Sequence, residues 1–167
     1  TGIALVPEDR KKQGALLEVD IRGNISMAII ERISKFFTVN TTEEKRIANY
    51  YKDAIRIKTP SIEQKIKNLS GGNQQKVIIA RWLASEPTLV IFDEPTRGID
   101  VGAKSEIYAL VNELVESGKA VLMISSEMEE VMGMSDRIIV LREGRISGML
   151  NRAEFNQETI MAFASRS

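Results

Sequence analysis

The apolar positions change rhythm twice along this chain. Ile3-Ala4-Leu5-Val6 is a short continuous apolar run stopped by Pro7, the pattern of a buried strand. From Gly14 to Asn68 the spacing becomes helical. One stripe runs through Ile25, Ala28, Ile29, Ile33, Phe36 and Phe37. A second runs through Ile47, Tyr50, Tyr51, Ala54 and Ile55, behind a Thr41-Thr42-Glu43-Glu44 start that resembles a capping box. Both stripes are read as core packing. A third helix begins after Gly72, passes through Ile78, Ile79, Trp82 and Leu83, and ends before Pro87.

From Thr88 the texture is strand, turn, helix, strand: Leu89 to Phe92, a helix from about Ala103 to Ser117 stopped by Gly118, then Ala120 to Ile124. Continuous apolar strands separated by helices predict a parallel sheet covered on both faces. A short helix from Glu127 to Met132 leads to Ile138-Ile139-Val140-Leu141, and a turn at Glu143-Gly144 returns the chain through Ile146 to Leu150 as a hairpin. The stretch Glu154 to Ala164 is amphipathic and expected to cap the sheet. No cap or turn precedes Ile3, so the expectation is a truncated domain.

Composition narrows the chemistry. A chain of 167 residues with 43% hydrophobic content can bury a core. Lys+Arg and Asp+Glu both number 23, so there is no overall basic field to hold nucleic acid. The sequence has no Cys and no His, which removes disulfides, thiolate or imidazole metal sites and the usual proton shuttle. Acid-base work falls to carboxylates. No apolar run approaches the roughly 20 residues that span a bilayer, and no signal-peptide pattern opens the chain, so a cytosolic location is expected.

Two segments carry that chemistry. Leu69-Ser70-Gly71-Gly72-Asn73-Gln74-Gln75-Lys76 places a serine and two glycines at the mouth of a helix, where unpaired N–H groups and the helix dipole attract phosphate. The two glycines permit a close backbone approach to a ligand, at a cost of roughly 1 kcal/mol each in helix stability. Leu89-Val90-Ile91-Phe92 ends in Asp93-Glu94-Pro95, delivering two carboxylates where a buried strand gives way to a turn. One can serve Mg²⁺ and the other can polarise a water.

In this order the two segments resemble the ATP-binding cassette (ABC) ATPases, whose signature reads LSGGQ and whose Walker B strand ends in Asp-Glu. The resemblance implies a truncated α/β P-loop NTPase nucleotide-binding domain with a parallel core sheet and a helical subdomain. Its segments would be 1–8 (core strand and Q-loop position), 9–87 (helical subdomain with the signature), 88–150 (core with Walker B, D-loop and switch) and 151–167 (C-terminal helix). ATP and Mg²⁺ are the implied ligands. Asp93 would hold Mg²⁺ through water and Glu94 would orient or deprotonate the attacking water. Ser70, Gly71, Gly72, Asn73 and Gln74 would meet the γ-phosphate of an ATP seated on the opposite domain. Asp100, in Gly98-Ile99-Asp100 at the D-loop place, would reach across to that domain.

Departures matter as much. No G-x-x-x-x-G-K-[ST] cradle occurs in the sequence. Ser126 stands at the switch, where the family usually has histidine, and Glu8 stands where a glutamine normally touches Mg²⁺, the water and the membrane partner. Serine cannot carry imidazolium charge and Glu8 adds negative charge near polyphosphate, so a weaker site is expected, although a carboxylate can also ligate Mg²⁺ through water. Val-Pro-Glu-Asp-Arg-Lys and Asp-Glu-Pro-Thr-Arg-Gly-Ile-Asp-Val-Gly-Ala-Lys look like the second nucleotide-binding half of ribose, galactose or xylose importers. That implies a second nucleotide-binding domain in the same polypeptide, membrane permease subunits contacted through Asp9 to Ile25, a sugar-binding protein acting indirectly, and a peripheral position on the cytoplasmic face of the membrane. The competing readings are a soluble ABC-type ATPase acting on nucleic acid or the ribosome, and a regulatory domain that binds nucleotide without turnover.

Overall fold

A computed structural model describes residues 2–165, in two compact units that divide between Leu122 and Met123. The expected segment ends at Thr1 and at Arg166 and Ser167 lie outside the described residues. The first unit runs β1 (Ile3–Val6), α1 (Ile21–Ser26), β2 (Ser34–Lys35), β3 (Thr38–Val39), α2 (Thr41–Ala54), α3 (Gly71–Leu83), β4 (Leu89–Asp93) and α4 (Val101–Glu116). It ends within β5 (Ala120–Ile124).

β1 and β4 pair in parallel from Ile3 opposite Leu89 to Val6 opposite Phe92, and β4 lies between β1 and β5. Ala4, Val6, Val90 and Phe92 are buried on one face, and α3, which packs on β1, buries Val77, Ile78, Ile79 and Ala80. The other face departs from the expectation of a sheet covered on both sides. Ile3 is 60% exposed, and Leu5 and Leu122 are each 47% exposed. The apolar strands are present, but no described residue buries these side chains.

The helical region is tied to α3 by a buried polar knot. Asp20 caps α1 by accepting from the Gly23 N–H at 2.7 Å. Asn24, fully buried, accepts from Arg81 Nη2 at 2.6 Å and donates to the carbonyls of Leu16, Val19 and Asp20. Such a group is tolerated inside because every polar atom finds a partner. α2 is capped by Asn40, whose side chain accepts from the Glu43 N–H, rather than by the Thr41 box.

Phe36 and Phe37 correct the first apolar stripe. They form the two-residue turn between β2 and β3, with φ of 48° and 62°, and both are fully exposed. Helical structure has already ended at Ile29, and the chain reverses through a left-handed pair of the kind that tight hairpins require.

The second unit holds α5 (Met128–Met134), β6 (Arg137–Arg142), β7 (Arg145–Asn151) and α6 (Gln157–Ser165). Glu143 and Gly144 make the expected turn, both with positive φ, and β6 and β7 pair antiparallel. Ile138, Val140, Leu150 and Ile160 form its core. α6 lies so close to β7 that a Cβ on Gly148 would sit 2.4 Å from the Phe163 ring.

Candidate nucleotide site

β4 is anchored by the fully buried Phe92 and presents Asp93 and Glu94, both half-buried, at its end. Glu94 has φ of 47°, a left-handed conformation in a non-glycine residue that costs on the order of 1–3 kcal/mol. The chain then tightens: the Arg97 N–H donates to the Glu94 carbonyl and the Ile99 N–H to that of Thr96. Gly98 supplies a positive φ of 65°, and Asp100 begins α4 by accepting from the Ala103 N–H at 2.9 Å. One Asp100 oxygen is thus engaged in a helix cap.

Ser70 occupies the N-cap position of α3, yet its side chain makes no capping bond and is exposed. The first backbone bond of the helix runs from the Gln74 N–H to the Ser70 carbonyl, which leaves the N–H groups of Gly71, Gly72 and Asn73 as helix-end donors. The Gln74 amide donates to the carbonyls of Ile66 and Leu69 and so holds the preceding loop. Asn73 accepts from the Lys58 N–H at 2.7 Å and donates to Ser70 Oγ at 2.9 Å. Gly72 serves packing. A Cβ on Gly72 would lie 2.6 Å from the Cβ of Ala103, so α3 and the start of α4 meet through that gap.

The loop after β1 joins these two segments. Arg10 donates from Nη1 to the Gly71 carbonyl at 2.9 Å and from Nη2 to the Gly98 carbonyl at 3.3 Å. Its guanidinium pKa is lowered by burial. Glu8, beside this loop, forms an ion pair with Arg97. Sequence reasoning missed Arg10, because its partners lie 61 and 88 residues away and are backbone carbonyls, which carry no residue-type signal.

Ser126 belongs to the second unit, where it is exposed in the turn before α5, and its neighbour Ser125 accepts from the Glu127 N–H at 3.0 Å. Among the described residues no group of three or more His, Cys, Asp or Glu side chains could hold a metal ion by itself. Mg²⁺ at a phosphate site commonly keeps its waters and takes one or two carboxylates plus substrate oxygens. Asp93 fits that sparse role.

A buried parallel strand ending in two carboxylates, with an uncapped serine at a helix start tied to the same loops, defines the class of nucleotide-binding α/β domains. The family model described as "ABC transporter" matches residues 4–97, more than half of the chain, and this protein belongs to that family. It is 56% identical over 164 residues to the ribose import ATP-binding protein RbsA of Clostridium perfringens, covering 98% of this chain and 33% of that protein. It is 54% identical over 164 residues to the xylose import ATP-binding protein XylG of Moorella thermoacetica, covering 98% and 32%. The chain therefore spans about a third of the curated relatives it matches. The fold is that of the dimeric ATP-binding cassette MJ0796 in a post-hydrolysis state bound to ADP and Pi, with a TM-score of 0.74 at 24% identity, covering 92% of this chain and 64% of that one.

Proposed function

We propose that this chain is part of the ATP-hydrolysing, energy-coupling subunit of a monosaccharide importer, from its second nucleotide-binding domain. One observation carries the reading: Asp93 ends a buried strand and Glu94 follows it in strained left-handed backbone, where a water-orienting carboxylate is needed. The identities to ribose and xylose import ATP-binding proteins support the substrate class.

In this mechanism Asp93 would hold Mg²⁺, which would supply neutralisation of the charge developing on the phosphates. Glu94 accepts a proton from, or orients, the water in line with the γ-phosphate. Ser70 and the helix-end amides of Gly71, Gly72 and Asn73 serve an ATP held by the opposite domain. Asp100 reaches that domain with the oxygen its cap leaves available. The Glu8–Arg97 pair offsets the negative charge that Glu8 brings, whereas Ser126, at the family's switch position, cannot carry imidazolium charge. No phosphate cradle occurs in these residues, so the chain alone does not turn over ATP.

The proposed partners are a second nucleotide-binding domain in the same polypeptide and membrane permease subunits, with a sugar-binding protein acting through the latter. Leu16, Val19, Met27 and Ile30 are exposed apolar side chains in or just beyond the segment after Glu8, and they suit a permease contact on the cytoplasmic face of the membrane. Among the described residues no helix is long and apolar enough to cross a membrane.

The test uses the full-length protein reconstituted with its permease in liposomes. Ser70→Arg should leave ATP binding intact and remove most ATPase activity and sugar uptake, because a bulky side chain keeps the helix start from the γ-phosphate. Unchanged ATPase and uptake would show that this segment has no such role.

A further inference from the structure

A serine hydroxyl has one proton to donate and two lone pairs to accept with. At the start of a helix it ordinarily accepts from the backbone N–H two or three residues on. Ser70 has the extended N-cap backbone, φ −60° and ψ 157°, but makes no such bond. Its Oγ accepts instead from Asn73 Nδ2 at 2.9 Å.

The orientation of the Asn73 amide is fixed by its other contact. The Lys58 backbone N–H lies 2.7 Å from the opposite end of that amide. A backbone N–H can only donate, so the atom facing it is Oδ1 and the atom facing Ser70 is the NH₂ group. Asn73 therefore gives a proton to Ser70 and cannot take one from it. The segment presenting the Lys58 N–H is itself held. Lys58 Nζ donates to Glu106 Oε1 at 2.8 Å, and the buried Lys76 donates to Glu106 Oε2 at 2.7 Å and to the Arg56 carbonyl at 3.1 Å.

We propose that Asn73 is a positioning residue that, by occupying a lone pair of Ser70 and refusing its proton, aims the Ser70 O–H outward at a phosphate oxygen. The inference rests on the function proposed above and assigns the Asn73 side chain a role through Ser70 rather than a contact of its own with the nucleotide. Preorganisation of this kind avoids reorienting the hydroxyl when negative charge builds on the transferring group.

Asn73→Asp separates this role from a structural one. Aspartate keeps an acceptor for the Lys58 N–H but replaces the donor facing Ser70 with an acceptor, which turns the Ser70 proton inward. In the full-length protein reconstituted with its permease, kcat for ATP should fall by about 10²-fold with thermal stability unchanged, the usual loss for one donor at developing charge. The same substitution in a Ser70→Ala background should change kcat by no more than about twofold, the scatter expected of non-interacting changes. An equal loss from Asn73→Asp in both backgrounds would assign the effect to charge repulsion and overturn the proposal. If the aspartate variant fails to fold, Asn73→Ala run through the same cycle decides between the two roles: coupling to Ser70 supports positioning and additivity refutes it. A wild-type protein without ATPase activity would instead remove the proposed function, whereas an active wild type with a damaging Ser70→Ala and a harmless Asn73→Asp would remove this inference alone.

Discussion

Arg10 and Gly71, 61 residues apart in sequence, are joined by a hydrogen bond of 2.9 Å from the guanidinium to the carbonyl at the first turn of α3. The same guanidinium reaches Gly98, so one side chain after β1 holds the start of α3 and the loop before α4 together. Bonds from a charged donor contribute roughly 1.5–3 kcal/mol when shielded, and the Gly98 contact is exposed and worth less. Arg10→Met keeps the apolar stem and loses both bonds. It should lower stability by about 1–3 kcal/mol, seen as an earlier urea midpoint with unchanged slope, and Arg10→Lys should recover only part. An unshifted midpoint for Arg10→Met would mean the clasp contributes nothing in solution.

Gly72 separates backbone packing from ligand access. Its missing Cβ is the space in which Ala103 sits, 2.6 Å from where that atom would be. Neither partner can rotate away, since one is a helix backbone and the other a methyl on the first turn of α4. Gly72→Ala should cost about 1–3 kcal/mol through overpacking. Gly71→Ala meets only the flexible end of Arg10, at 3.0 Å, and should cost less. Parallel urea titrations of the two variants check the order. Equal losses would show that α3 and α4 do not pack this tightly.

α3, β4, β5 and the β6–β7 hairpin were legible because each is a strong periodic segment bounded by Gly, Pro or a capping side chain. The placement of Asp93 and Glu94 at the end of β4 and of Ser70 at the start of α3 was legible because the strand and helix that carry them are local patterns. Phe36 and Phe37 misled because helical spacing and a left-handed hairpin turn can share an apolar pattern. The open face at Ile3 and Leu5 was invisible, since alternation tells which residues share a face and not whether anything lies over it. The Glu8–Arg97 pair, the Arg10 clasp and the Asn73–Ser70 bond depend on loops brought together by the fold, and no periodicity encodes them.

Glu106 gives this fold a defined acid sensitivity. Hydrogen bonds from Lys58, and then from Lys76, lower its pKa from the ordinary 4.5 to about 2. Between those values the unfolded chain binds a proton that the folded one refuses, so stability rises with pH across the window. The contribution is fully present above about pH 4.5 and is lost as pH falls toward about 2. Urea midpoints measured through this range should drop more steeply for the wild type than for Glu106→Gln. Parallel curves for the two proteins would show that the paired lysines do not hold the carboxylate ionised.

Glu94 combines strain with chemistry, and two substitutions should separate them. Glutamine preserves the side-chain shape and the backbone at φ 47°, while glycine adopts that backbone without penalty. Relief of about 1–3 kcal/mol of strain is partly offset by the roughly 0.5–1 kcal/mol that glycine costs through chain entropy. Glu94→Gly should therefore be as stable as the wild type, or more stable by up to about 2 kcal/mol, whereas Glu94→Gln should stay close to the wild type. Both remove the carboxylate proposed to orient the water. On the proposed reading Ser126, at the family's switch position, cannot carry imidazolium charge, a loss worth about 10²-fold in rate, and the opposite site would then carry most turnover. Steady-state ATPase of the full-length protein should then fall equally in both variants, by no more than about half. The equivalent glutamine in the other half should nearly abolish it. Thermal melts and ATPase rates on the three variants decide both points: a destabilised glycine variant would remove the strain argument, and comparable losses from the two glutamines would remove the asymmetry.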